Sequence, residues 1–116
     1  TVDFQNDRSK RAAANFKKAG VLDYIEQNTQ GIDAFLKHDH RKYELIFMDA
    51  AKKDQGRWLQ QLLSHHVRPG TIIIVDDVDT MGDRMEDLFL FVKSSKRLKT
   101  SRESIDDGLL IIKVIE

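Results

Sequence analysis

Apolar positions along this chain switch between two periods, and the switches mark its elements. Tyr43-Glu44-Leu45-Ile46-Phe47-Met48-Asp49 and Thr71-Ile72-Ile73-Ile74-Val75-Asp76-Asp77 are β-prone runs that break off in carboxylate. Runs that are apolar on both faces have the pattern of strands buried within a parallel sheet. Between them Trp58, Leu59, Leu62 and Leu63 fall on one face of a helix predicted over 53–66. Arg68-Pro69-Gly70 then turns the chain into the second run. Strand, helix and strand of these lengths form a crossover in which the two strands are parallel.

The flanking patterns are weaker. Residues 1–4 predict a short strand. Asn6 or Asp7 caps a helix whose interior is 10–18, with Lys17 and Lys18 in its last turn and Gly20 as its stop. A second weak strand is expected over 23–28 and a short helix over 31–37. Residues 82–95 predict a helix with Met85, Leu88, Phe89 and Val92 inward. Residues 98–104 and 109–115 flank Asp106-Asp107-Gly108, the signature of an antiparallel hairpin. The chain therefore reads as one α/β domain over 1–116, its sheet mostly parallel with an antiparallel C-terminal hairpin.

Composition narrows this picture. The 116 residues suffice for one domain with a core. Nineteen basic residues balance nineteen acidic ones, so charge demands neither nucleic acid nor an anionic membrane. Without cysteine there is no disulfide and no thiolate metal site, which suits a cytoplasmic protein. No apolar run approaches the ~20 residues that span a bilayer.

The candidate chemistry lies at the strand ends. Ligands of open α/β sheets bind at the carboxyl ends of the strands, and neighbouring strands stand ~4.8 Å apart. Asp49, Asp76 and Asp77 are therefore expected to converge, and three carboxylates suit one hard cation: magnesium, manganese or calcium. Each acid alone also reads as a strand exit or helix cap; the pairing of the two strands favours the cation. Lys52 alone reads as a solvated residue of a helix's first turn, and Trp58 as core. His38 with His40, and His65 with His66, are spaced so that they share no helix face, and all four read as surface residues.

The ordered set of motifs resembles a known family. Phe47-Met48-Asp49-Ala50-Ala51-Lys52, Arg68-Pro69-Gly70-Thr71, Val75-Asp76-Asp77-Val78 and Asp107-Gly108-Leu109-Leu110-Ile111-Ile112-Lys113 look like successive strands of the cation-dependent S-adenosylmethionine O-methyltransferases. That group includes the catechol and caffeoyl-CoA methyltransferases and bacterial relatives. Asn15-Phe16-Lys17-Lys18-Ala19-Gly20 is similar to one of its helices. The resemblance implies a Rossmann-like sheet and transfer of a methyl group from S-adenosylmethionine to a hydroxyl of a catechol-like small molecule. A modified tRNA base is another acceptor it allows. It implies metal ligation by Asp49, Asp76 and Asp77, where Asp77 replaces the family's Asn. It implies proton removal by Lys52, and cofactor contacts from Asp3 to the ribose, from Phe4 to the adenine and from Asp49. Gln55 stands where the family has an aromatic residue. The family's first strand and glycine-rich loop have no counterpart here, so these residues resemble the C-terminal portion of the domain. Exposed strand edges then favour self-association into a homo-oligomer.

Two other readings stand beside this one. The first is a non-catalytic fragment of the same fold, serving as a binding or oligomerisation module. A phosphorylation-receiver domain has a similar acidic pair and acceptor strand, but in the opposite order, so only a circular permutation would produce it.

Overall fold

The computed structural model describes residues 1–116, which form two compact units, residues 1–39 and 40–116. In the first, α1 (Asn6–Lys18) carries Asp7 in its first turn and Lys17 and Lys18 in its last, each sign complementing the helix dipole. Gly20, at φ +75°, ends it. The Gly20 N–H donates to the Lys17 carbonyl and the Val21 N–H to the Phe16 carbonyl, the paired bonds of a Schellman cap. A short helix, α2 (Ile32–His38), closes the unit.

The strands expected over 1–4 and 23–28 shrink to a single parallel bridge between Val2 and Asn28. Leu22–Tyr24 is a 3-10 turn instead, held by Tyr24 N–H to Val21 O and Ile25 N–H to Leu22 O. With Tyr24 87% exposed, this stretch has no apolar face to pack, and local bonds win over pairing.

The second unit holds a four-stranded sheet in the order β1-β2-β4-β3. Strand β1 (Leu45–Met48) runs parallel to β2 (Ile72–Val75), with α3 (Gln55–His65) as the crossover. Strands β3 (Leu98–Glu103) and β4 (Leu109–Val114) form the expected hairpin. Strand β4 inserts antiparallel beside β2. The sheet is thus mixed, with one parallel pair and two antiparallel ones.

The core lies on one sheet face. Met48, Ile73, Val75, Leu110, Ile112 and Val114 are buried there by register, and Leu59, Leu62, Leu63 and Leu88 are buried on the helices. Helix α4 (Glu86–Ser94) packs on α3. Gly56 makes that contact close: a Cβ there would stand 2.8 Å from Leu88 N and 2.9 Å from Asp87 C. Thr71, buried at the entry to β2, donates from Oγ1 to the Tyr43 carbonyl (2.7 Å) and accepts from the Arg68 N–H (3.1 Å), tying the turn to the start of β1.

Trp58 is core, as expected, and His38, His40 and His65 are exposed. His66 departs from its surface reading and is only 2% exposed. Its ring stacks on Tyr43 at 6.4 Å, and its Nδ1–H donates to the Arg41 carbonyl at 3.0 Å, since a carbonyl can only accept. The chain returning to the sheet covers the end of α3, which helical spacing alone does not reveal. No helix is long and apolar enough to cross a membrane.

Candidate functional site

Parallel pairing aligns Met48 with Val75, so the residues that follow leave the sheet side by side. Asp49 exits β1, and Asp76 and Asp77 exit β2. One carboxylate oxygen from each lies within 4.8 Å of the others. That spread is roughly twice a calcium–oxygen distance of 2.3–2.6 Å, so the three oxygens fit the donor set of a single hard cation.

Local backbone bonds shape the cluster. The Asp76 carboxylate accepts the Asp77 N–H at 2.8 Å. Asp77 adopts φ +62°, the left-handed region in which Asp and Asn are tolerated better than other side chains. Its carbonyl accepts the Met81 N–H at 2.8 Å, while the Val78 and Asp79 N–H groups donate to the carbonyls of Gly108 and Asp107. The β3–β4 turn therefore braces the loop after β2. Gly108, at φ +88°, has a backbone that side chains rarely adopt, and a Cβ there would also displace the Asp79 carboxylate.

Lys52 completes the cluster. It opens a 3-10 turn, Lys52–Asp54, ahead of α3. Its Nζ donates to Asp49 Oδ1 at 3.1 Å and lies 3.0 Å from Asp77 Oδ2, with its side chain 12% exposed. Burial pushes its pKa down, but hydrogen bonds to Asp77 and Asp49 and the attraction of both charges outweigh burial. The net effect is a pKa raised from the ordinary 10.5. With free carboxylates around it, Lys52 is thus held as an ammonium. Three carboxylates and one ammonium leave the cluster two charges negative, which suits a divalent ion.

Of the six site residues expected from the sequence, four stand together: Asp49, Lys52, Asp76 and Asp77. Asp3 and Phe4 belong to the first unit. There Asp3 Oδ1 accepts the Gln5 N–H at 2.8 Å and Oδ2 lies 3.9 Å from Arg8, while Phe4 is 70% exposed.

Gln55 has a place that sequence reading missed. It is fully buried, and its Nε2 donates to the Ala50 carbonyl at 3.0 Å, while Oε1 has no partner. A signal was present: Gln55, Trp58, Leu59 and Leu62 fall at i, i+3, i+4 and i+7, which places a polar amide on the apolar stripe of α3. A shallow groove lined by Gly82, Asp83, Glu86, Phe89, Leu90 and Lys93 shares no residue with the cluster.

At the level of sequence, no protein-family model and no curated protein matches the chain. Solved structures do. The chain superposes on the O-methyltransferase TomG from Streptomyces achromogenes, in complex with SAM and involved in tomaymycin synthesis, with a TM-score of 0.88 at 18% identity. That match covers 100% of this chain and 61% of TomG. An O-methyltransferase from Bacillus cereus in complex with SAH matches with a TM-score of 0.85 at 21% identity, over 98% of this chain and 61% of that one. The SAH-bound methyltransferase PaMTH1 of Podospora anserina matches with a TM-score of 0.86 at 19% identity, over 100% and 60%.

The fold is that of an O-methyltransferase. The 116 residues span about three fifths of the length of these neighbours. The mixed sheet matches that fold.

Proposed function

We propose that this chain carries the cation-binding part of an S-adenosylmethionine-dependent O-methyltransferase that methylates a hydroxyl of a catechol-like or related small molecule. A modified tRNA base is the other acceptor class the reading admits. The observation that carries it is the meeting of Asp49, Asp76 and Asp77 with Lys52 set between them. Asp49, Asp76 and Asp77 would hold magnesium, manganese or calcium. Bound there, a divalent ion supplies Lewis acidity that lowers the pKa of a hydroxyl.

The chain's own residues do the rest. Lys52 is kept protonated by Asp49 and Asp77. Engaging those carboxylates elsewhere withdraws that support and leaves burial, which lowers the ammonium's pKa and equips the amine to accept the hydroxyl proton. S-adenosylmethionine, when bound, would supply the methyl group, its carbon–sulfur bond giving way to a carbon–oxygen bond with S-adenosylhomocysteine as the leaving group. Such a displacement depends mainly on in-line alignment. Asp3 and Phe4 are the cofactor-side candidates: Asp3 Oδ1 accepts the Gln5 N–H, and Oδ2 can accept from a ribose hydroxyl.

Calorimetric titration of Mn²⁺ into the chain and into Asp76→Asn tests the reading. Removing one charged ligand should weaken binding on the order of tenfold. Equal, negligible heats in both proteins would remove the cation from the proposal.

A second part of the reading concerns assembly. Strand β1 is a sheet edge, and its outward Leu45 and Phe47 are 62% and 60% exposed. An open edge bearing apolar side chains favours pairing with another chain, and we propose that the isolated 116 residues self-associate.

A further inference from the structure

Between the end of β1 and the start of α3, the loop that carries Asp49 and Lys52 is closed by short-range bonds. The Asp54 N–H donates to Ala51 O at 3.2 Å, and the Gln55 N–H donates to Lys52 O. Neither bond reaches the Ala50 carbonyl. That carbonyl is held from inside, where the Gln55 amide donates to it. Gln55 is fully buried and leaves Oε1 without a donor. A residue whose only task is to fill the apolar stripe of α3 has no need of an amide, and an apolar side chain would bury no amide oxygen without a donor. The amide's one satisfied bond goes to the residue next to Asp49 and two before Lys52.

We propose that Gln55 is a positioning residue for the acidic cluster: by holding the Ala50 carbonyl it sets the direction in which Asp49 and Lys52 leave the backbone. The inference rests on the reading of that cluster as a cation site. Gln55 touches neither the cation nor the substrate. It acts as an outer partner that orients a ligand, a role whose loss typically costs 10–100-fold in metal affinity.

The test uses Gln55→Met, which keeps an unbranched side chain of similar length and removes both the donor and the orphaned oxygen. Three quantities are measured in the full chain: the thermal midpoint, Mn²⁺ affinity by electron paramagnetic resonance, and the ¹⁵N-ammonium resonance of Lys52 in metal-free protein. The expected result is Mn²⁺ affinity lower by about tenfold or more and a broadened or shifted Lys52 resonance, with a cooperative midpoint showing that the variant is folded. Unchanged Mn²⁺ affinity together with an unchanged Lys52 resonance would overturn the proposal. If the parent protein itself binds no Mn²⁺, the cation reading has failed separately. The Lys52 resonance then decides alone: moved in Gln55→Met, it supports the positioning role, and unmoved, it refutes it. Gln55→Leu takes the same measurements if Gln55→Met does not fold.

Discussion

Lys52 and Asp77 leave different strands of the sheet, yet the lysine ammonium lies 3.0 Å from an Asp77 carboxylate oxygen. The pair bridges β1 and β2 beyond the last ladder bond, next to the hydrogen bond from Asp76 N–H to Met48 O. One ion pair therefore ties structure and chemistry together, and it can be probed for each separately.

For structure, the probe is alkaline pH. The folded-state pKa of Lys52 is raised above its ordinary 10.5. A group shifted in this direction contributes stability that is complete below 10.5 and is lost as pH rises through the folded value. The difference in urea midpoint between the parent and Lys52→Met should stay level from about pH 8 upward and shrink only above the unfolded pKa. A difference that instead grows with pH would show that the ion pair does not hold the ammonium.

For chemistry, Lys52→Ala in the complete enzyme should lower turnover by about 10²–10⁴-fold, the usual worth of general-base assistance. Apparent affinity for substrate and metal should change far less, and the basic limb of the pH–rate profile should disappear. Near-normal turnover with an unaltered profile would leave Lys52 a purely structural cation.

Gly56→Ala tests the α3–α4 contact. The new Cβ would meet backbone atoms of Asp87 and Leu88, which cannot rotate away as a side chain can. Overpacking of this kind costs about 1–3 kcal/mol, outweighing the helix preference of alanine. Chemical denaturation reads the loss directly, and a variant as stable as the parent would mean that the two helices slide apart freely.

Sedimentation of the isolated 116 residues should show self-association that Phe47→Lys reduces. The substitution places a charge on the exposed face of β1, where charge discourages edge pairing. A parent protein that sediments as a stable monomer at all concentrations would refute the assembly proposal.

The strand ends were legible in the sequence because Leu45-Ile46-Phe47-Met48 and Ile72-Ile73-Ile74-Val75 are uninterrupted apolar runs with abrupt acidic stops. The crossover between them followed from length alone. Insertion of β4 between β2 and β3 was not legible, because hydrophobic period says which residues form strands and nothing about their order. The weak strand expected over 23–28 failed because pairing needs a partner of matching length, and Val2 offers a single bridge. His66 was misread because its burial depends on Tyr43, twenty-three positions earlier in the chain. Gln55 was seen as the loss of an aromatic contact, whereas its buried amide faces the Ala50 carbonyl.

The left-handed backbone at Asp77 bears on how such a site can change over evolutionary time. Asparagine tolerates this conformation as readily as aspartate, and a β-branched or bulky side chain does not. Exchange between the two therefore costs no backbone strain, while it adds or removes a full negative charge at the proposed cation position and with it the ion pair to Lys52. The charge of the acidic cluster, and with it the proposed affinity for a metal, can drift by single substitutions at this position without the chain having to find a new path.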